Sequence, residues 1–283
     1  MKKIYPLLLL SFILFTSKKA KAQDPAFTQF YANPLYLNPA FTGSQKCKRL
    51  VVNYRNQWPA LTGQFITTSA SYDQYVCGLG GVGLLVTNDN AGKGTLRTLN
   101  ASLLYAYHQQ LTRTLQLSAG FQGTYVEKRV DWDKLTFGDM IDPRRGFVMP
   151  TAEIEGRSVA RYFDMSAGLV LHTPRYFAGF AAHHLTQPDE YLQVGPSPLP
   201  RKYTAHAGAL IPVSNRDQVT ISPNVLFQAQ GDFRQLNLGL YVNKGPITGG
   251  FWYRDQDSFI ILLGIQHQLY KIGYSYDVTV SKL

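Results

Sequence analysis

Apolar and polar residues alternate with a period of two along most of this chain. The closing segment shows it most plainly: Ile272, Tyr274, Tyr276, Val278 and Val280 are interleaved with Gly273, Ser275, Asp277, Thr279 and Ser281. Successive side chains of a strand point to opposite faces, so the two sets lie on the two faces of one strand. Segment 161–172 sets Phe163, Met165, Ala167, Leu169 and Leu171 against Asp164, Ser166, Gly168 and His172, and segments 115–125, 217–228 and 234–243 repeat the scheme. Thirteen such segments occur, near 49–56, 64–74, 79–88, 95–108, 115–127, 161–172, 176–185, 203–211, 217–228, 234–243, 247–255, 258–268 and 270–281. Most are longer than the five or six residues usual in soluble sheets and match the roughly 9–11 that a tilted strand needs to cross a bilayer. Their second face carries Gly, Ser, Thr, Asn and Gln, which suits a hydrated bore better than a sandwich core. The pattern predicts an all-β fold, a transmembrane antiparallel barrel. Tyr72, Tyr105, Tyr107, Tyr125, Tyr176, Tyr203, Tyr241, Tyr253 and Tyr270, near strand ends, are expected to form interfacial girdles.

Thirteen is odd, whereas bacterial single-chain barrels have an even number of strands. Either one segment is not a strand or another lies unseen, just after Phe41 or within 128–160. Thr173-Pro174-Arg175 and the connections at 213–216 and 243–246 are tight. Those at 128–160 and 186–202 are long and rich in proline and charge, and are expected on the extracellular side.

The chain opens differently. Lys2 and Lys3 precede an apolar run from Ile4 to Phe15, and Ala20-Lys21-Ala22 supplies a small-x-small cleavage pattern. Residues 1–22 are therefore expected to be a signal peptide, with Gln23 first in the mature chain. The run falls short of the roughly 20 residues of a membrane helix, and no cysteine follows it to accept lipid. Export to the bacterial outer membrane is the expectation. Residues 23–44 read QDPAFTQFYANPLYLNPAFTGS. Three prolines and two Asn-Pro steps exclude a regular strand or helix. Phe27, Phe30, Tyr31, Leu35, Tyr36 and Leu37 supply too many apolar anchors for a loose tail, so 23–46 is expected to be an ordered periplasmic or lumenal strap ahead of a barrel over 47–283.

Composition narrows the function classes. The 283 residues are only 16% charged, against about 25% in ordinary soluble domains, while 13% are aromatic. The net charge of +10 includes Lys2, Lys3, Lys18, Lys19 and Lys21 of the leader; the rest of the chain has 23 bases against 18 acids and no basic block. Nucleic acid is not an expected partner. Two cysteines exclude a disulfide-dense scaffold and a four-thiolate zinc site. Cys47 precedes the first clear strand and Cys77 follows the second, so both return to one rim, and a disulfide between them stays open.

Candidate chemistry is sparse. Adjacent His183 and His184 point to opposite faces of a strand and cannot chelate one metal together. The chain lacks HExxH, a Walker loop, CxxC and G-x-S-x-G. An outer-membrane lipase or acyltransferase would need a serine–histidine pair at one rim, and nothing marks one. No catalytic residue, metal or cofactor is expected. Asp164, Arg254 and Asp277 sit among apolar strand neighbours; a base at the bilayer midplane costs about 2–4 kcal/mol, an acid less, so all three are expected in the lumen, paired or lining a cavity. Arg55 with Trp58 is either a rim contact or a girdle residue with a snorkelling arginine.

The opening segment, with Gln29, Phe30, Asn33, Pro34, Leu37, Asn38 and Pro39, resembles the N-terminal signature of the PorP/SprF family, outer-membrane proteins of Bacteroidota associated with type IX secretion. The resemblance continues through Tyr54-Arg55-Asn56-Gln57-Trp58-Pro59, Ser71-Tyr72-Asp73, Leu135-Thr136-Phe137-Gly138-Asp139, Leu199-Pro200 with Tyr203 and His206, and Ile272-Gly273-Tyr274-Ser275-Tyr276-Asp277 with Ser281 and Leu283. It implies a barrel of about fourteen strands embedded in outer-membrane lipid. It also implies one of two roles: helping a partner adhesin or other cargo to be secreted and held at the cell surface through its C-terminal domain, or contacting the lipoprotein and periplasmic ring of the machinery. For the first, docking by strand addition or at the rim is expected on the long loops, with Asp131, Trp132, Asp139, Asp142, Arg144 and Arg145 as charge and aromatic anchors. A small-solute porin is the rival of a different class.

Overall fold

A computed structural model of the chain describes residues 24–59, 63–192, 196–214 and 218–280. The leader over 1–22, the expected first mature residue Gln23, and Ser281 and Leu283 lie outside them. Strands β1 (Arg49–Gln57), β2 (Phe65–Val76), β3 (Gly80–Ala91), β4 (Leu96–Gln110) and β5 (Gln116–Val130) form an antiparallel meander. The long connection after β5 holds a separate hairpin, β6 (Ile141–Asp142) and β7 (Gly146–Phe147). The main sheet resumes with β8 (Val159–His172), β9 (Tyr176–His183), β10 (Lys202–Ala209), β11 (Ile211–Ser214), β12 (Val219–Gln230), β13 (Phe233–Lys244), β14 (Ile247–Arg254), β15 (Ser258–Gln266) and β16 (Lys271–Thr279).

The sheet therefore has fourteen strands in thirteen positions, because β11 prolongs β10 along the same partner, β12. Leu210 breaks the line where its N–H turns to the carbonyl of Arg175, just ahead of the first residue of β9. Pro212, lacking an N–H, sits beyond that end, where no ladder donor is required. The additional strand is thus this short piece. No strand of the main sheet lies just after Phe41 or within 131–158.

The strands turn most of their large apolar residues outward and mainly small or polar ones into the bore, apart from the few that pack against the strap. On β8, Phe163, Met165, Leu169 and Leu171 are exposed while Asp164 and Ser166 are buried. Tyr241 departs from the expected girdle: it lies on the inward face of β13, its ring 5.7 Å from that of Trp252.

The bore is occupied by the chain's own beginning. Residues 24–48 make a 3-10 turn at Phe30–Ala32, a helical turn at Pro34–Leu37 and a second 3-10 turn at Pro39–Phe41. Pro34 and Pro39 each open a turn, where no backbone donor is needed. Asn38 caps the last turn, its Oδ1 accepting from Ala40 N at 2.9 Å. The hydrophobic core lies between strap and wall: Phe30 and Leu37 pack with Leu226, Trp252 and Ile260, and Leu35 with Leu85 and Leu104. The wall makes room where the strap comes closest. A Cβ on Gly120 would collide with Pro39 and the backbone of Ala40, atoms no rotamer change can move aside.

Candidate functional site

The strap traverses the bore from one rim to the other. At the rim of short turns, Gly43 N donates to Asp73 Oδ2 at 2.7 Å, and Arg49 binds the same carboxylate through two nitrogens at 2.8 and 2.9 Å. The carbonyl of Thr42 lies 2.8 Å from His108 Nε2. Midway, Asn38 Nδ2 donates to the carbonyls of Leu169 and Phe180, both at 3.2 Å, and lies 3.3 Å from His206 Nε2. Higher up, Asn33 Nδ2 donates to Ser69 Oγ at 3.0 Å and Gln29 Nε2 to Ser275 Oγ at 3.3 Å. Asp24 ends the traverse at the rim of long loops. Gln29, Phe30, Asn33, Leu37 and Asn38 of the strap motif thus all face wall residues, and Asp73 and His206 of the later motifs face the strap.

Two charged clusters hold the strap at the long-loop rim. In the first, β9 ends at His183, and His184 adopts a left-handed backbone (φ 57°). Its Nε2 lies 2.8 Å from Asp24 Oδ2 and its Nδ1 2.7 Å from Asp164 Oδ2. Lys202 Nζ stands 3.4 Å from Asp24, and Thr186 Oγ1 donates to Asp164 at 2.9 Å. Burial opposes charge on the imidazole, but the two carboxylates outweigh it and raise the His184 pKa to about 9. Burial also opposes charge on Asp24, yet Lys202 and His184 hold that carboxyl far below the usual range. The second cluster joins β14 to β16. Arg254, 4% exposed, lies 3.1 Å from Asp257 and 3.6 Å from Asp277, and Asp277 also faces Arg55 at 3.5 Å and Thr28 Oγ1 at 3.3 Å.

Asp164, Arg254 and Asp277 all point into the bore, Asp164 in the first cluster and the other two together in the second. Arg55 enters the bore too, so it neither snorkels outward nor meets Trp58, whose ring packs edge-on against Phe65 at 5.5 Å. Cys47 and Cys77 are free and exposed, with no disulfide between them. The register explains the separation: Arg49 faces Asp73, so position 47 faces Tyr75, two residues short of Cys77. Among the described residues, no three His, Cys, Asp or Glu side chains are placed to share a metal ion.

The long loops pack on each other. Lys128 pairs with Glu190 at 2.7 Å, Tyr162 donates to the same carboxylate at 3.1 Å, and Arg157 lies over the Tyr191 ring. Within the first loop the acids serve the loop itself. Asp139 accepts from Thr151 Oγ1 and from Ala152 N, and Asp142 Oδ1 accepts from the backbone N–H groups of Arg144 and Arg145 at 2.8 and 2.9 Å. Asp131 pairs with Lys134 at 2.9 Å, and Trp132 is half-buried against Gly156. Arg144 and Arg145 are exposed. Beside them stand Ile141, Phe147, Val148, Met149 and Ile154, exposed apolar residues absent from the expected anchors. The run Phe147-Val148-Met149 in a charged loop was the available signal for them. For Asp24, His184 and Lys202 there was none, because the partners lie 160 or more residues apart.

A cavity of about 20 Å³, room for roughly one water, is lined by Phe30, Asn33, Leu37, His183, Lys202 and Thr204, among others. No curated protein matches this sequence. A family model, described as type IX secretion system membrane protein PorP/SprF, matches residues 19–283.

Proposed function

The chain belongs to the PorP/SprF family of type IX secretion system membrane proteins, and on that premise we propose that it is a non-catalytic outer-membrane partner of a secreted adhesin or other cargo. It assists the cargo's secretion and holds it at the cell surface through the cargo's C-terminal domain. The observation that carries this reading is the contrast between bore and rim. The bore is threaded by a strap bonded to the wall at both rims, which suits holding rather than conducting. The long-loop rim is built up into two mutually packed loops that present Arg144, Arg145 and an apolar hairpin. Aromatic and arginine anchors of this kind dominate protein interfaces. In this orientation the short turns face the periplasm, where lipoprotein and ring components of the machinery would meet the protein.

The test is a tagged purification from outer membranes in mild detergent, with mass spectrometry of what accompanies the protein. A large secreted protein bound through its C-terminal domain is expected. It should be lost when the loops at 131–158 and 186–201 are replaced by neutral linkers, while the folded barrel persists. Retention unchanged by that replacement sinks the docking assignment. Recovery of envelope lipoproteins and ring components alone makes the protein part of the machine instead.

A further inference from the structure

The wall of the barrel has two free edges. β1 and β16 end the hydrogen-bonded path, and no ladder joins them among the described residues. Strict antiparallel alternation over thirteen positions makes the first and last strands run in the same direction, from the short-turn rim to the long-loop rim. Direct closure would require one parallel pair in an otherwise antiparallel wall. A single strand inserted in the opposite sense would pair antiparallel with both edges and bring the positions to fourteen, the even count usual for such barrels. Hydrocarbon offers no partner to unpaired backbone groups, so an open edge does not persist at membrane depth.

The chain's own candidate for that place is the strap, which runs in the required sense. Its prolines and helical turns keep it out of the sheet, and it lies in the bore. There it seals the seam from behind: Arg55 of β1 reaches Asp277 of β16 at 3.5 Å, and Thr28 and Gln29 bind Asp277 and Ser275. The lumenal side of the seam is bridged by side chains while the backbone edges stay unpaired. Outside, Leu50, Val52 and Tyr54 on one edge and Ile272, Tyr274 and Tyr276 on the other stand uncovered.

We infer that the seam between β1 and β16 is a strand acceptor that takes one extended segment from another polypeptide, the secreted partner of the proposed function. Both edges are nine residues long, and their pleat sets the donor's chemistry. It is a segment of matching length, apolar at alternate positions facing lipid and small or polar at the others facing the bore. Its N-terminal end lies at the long-loop rim. Only the donor's identity rests on the proposed function; the length, sense and alternation come from the seam itself.

The experiment uses the full chain in living cells. A photo-crosslinking benzoylphenylalanine is placed at Val52, at Tyr274 and, separately, at Phe147 on the loop hairpin, and the adducts are mapped by mass spectrometry. Both seam positions are expected to trap one and the same alternating segment of one secreted protein. In a Cys47→Ala, Cys77→Ala background, the pair Asn53→Cys and Ser275→Cys should then fail to form a disulfide, since a strand separates them. Adducts between β1 and β16, or a disulfide in the double-cysteine variant, mean direct closure and overturn the inference. Capture of a second copy of this chain, or of no protein at the seam, overturns it as well. Partner adducts from Phe147 alone would refute the strand acceptor yet leave the proposed function standing.

Discussion

His184 ties together two carboxylates from distant parts of the chain, and its protonation has a readable consequence. Its pKa in the folded protein, about 9, lies above the ordinary value of 6.5. The stabilisation from its charge is therefore fully present below about pH 6.5 and is lost as pH rises through about 9. Asp24 is shifted the other way, so its contribution survives into strong acid. The strap's first residues should stay latched across the neutral range and loosen on the alkaline side. Limited proteolysis of the detergent-solubilised protein between pH 6 and 10 reads this as cleavage near Asp24 that appears only at the top of the range. Replacing the ring, His184→Ala, should abolish the alkaline step and cost about 3 kcal/mol in unfolding, near the lower end for breaking a buried ion pair because Lys202 still faces Asp24. No local pattern announces this contact, since residues 24, 164 and 184 share no segment, motif or period.

Among the elements, the strands were the most legible. Lipid outside and a polar, strap-filled bore inside impose opposite demands on successive residues, and a period of two is the only arrangement that meets both. The strap was legible as irregular, ordered and apolar, because Asn-Pro steps forbid regular structure while Phe27, Phe30 and Leu37 require burial. Its course through the bore was not, because the glycines and serines that receive it are spread over strands from β2 to β16. The long loops carry a structural role that no motif announced. Besides being expected docking anchors, Asp139 and Asp142 fold the loop by accepting its own backbone donors. Orientation belongs to this scale and is testable with native thiols. Cys47 and Cys77 are exposed at the short-turn rim. Under reducing conditions an impermeant maleimide should leave both untouched on intact cells and label them once the outer membrane is permeabilised. Arg144→Cys in a cysteine-free variant should label on intact cells. The reverse pattern would invert the barrel.

For the whole molecule the strap is the decisive element. It adds one traverse of the bore to thirteen positions of wall, so Asp24 and the end of β16 lie at the same rim. A barrel plugged in this way should not conduct: purified protein in planar bilayers is expected to show no steady current. Phe30→Ala with Leu37→Ala, which empties part of the contact with Trp252 and Ile260, is expected to produce intermittent openings while the barrel persists. A steady current from the unaltered protein would return weight to the porin. The sequence by itself determined the strand class, the positions of the thirteen segments, the lipid-facing side of the most regularly alternating ones, and the family, since each of these is written in local period or contiguous motif. Only the tertiary structure decided what fills the bore, which carboxylates meet His184 and Arg254, and that the two edge strands run the same way. Those are relations between residues far apart in the chain, created when the sheet curls around its own first residues.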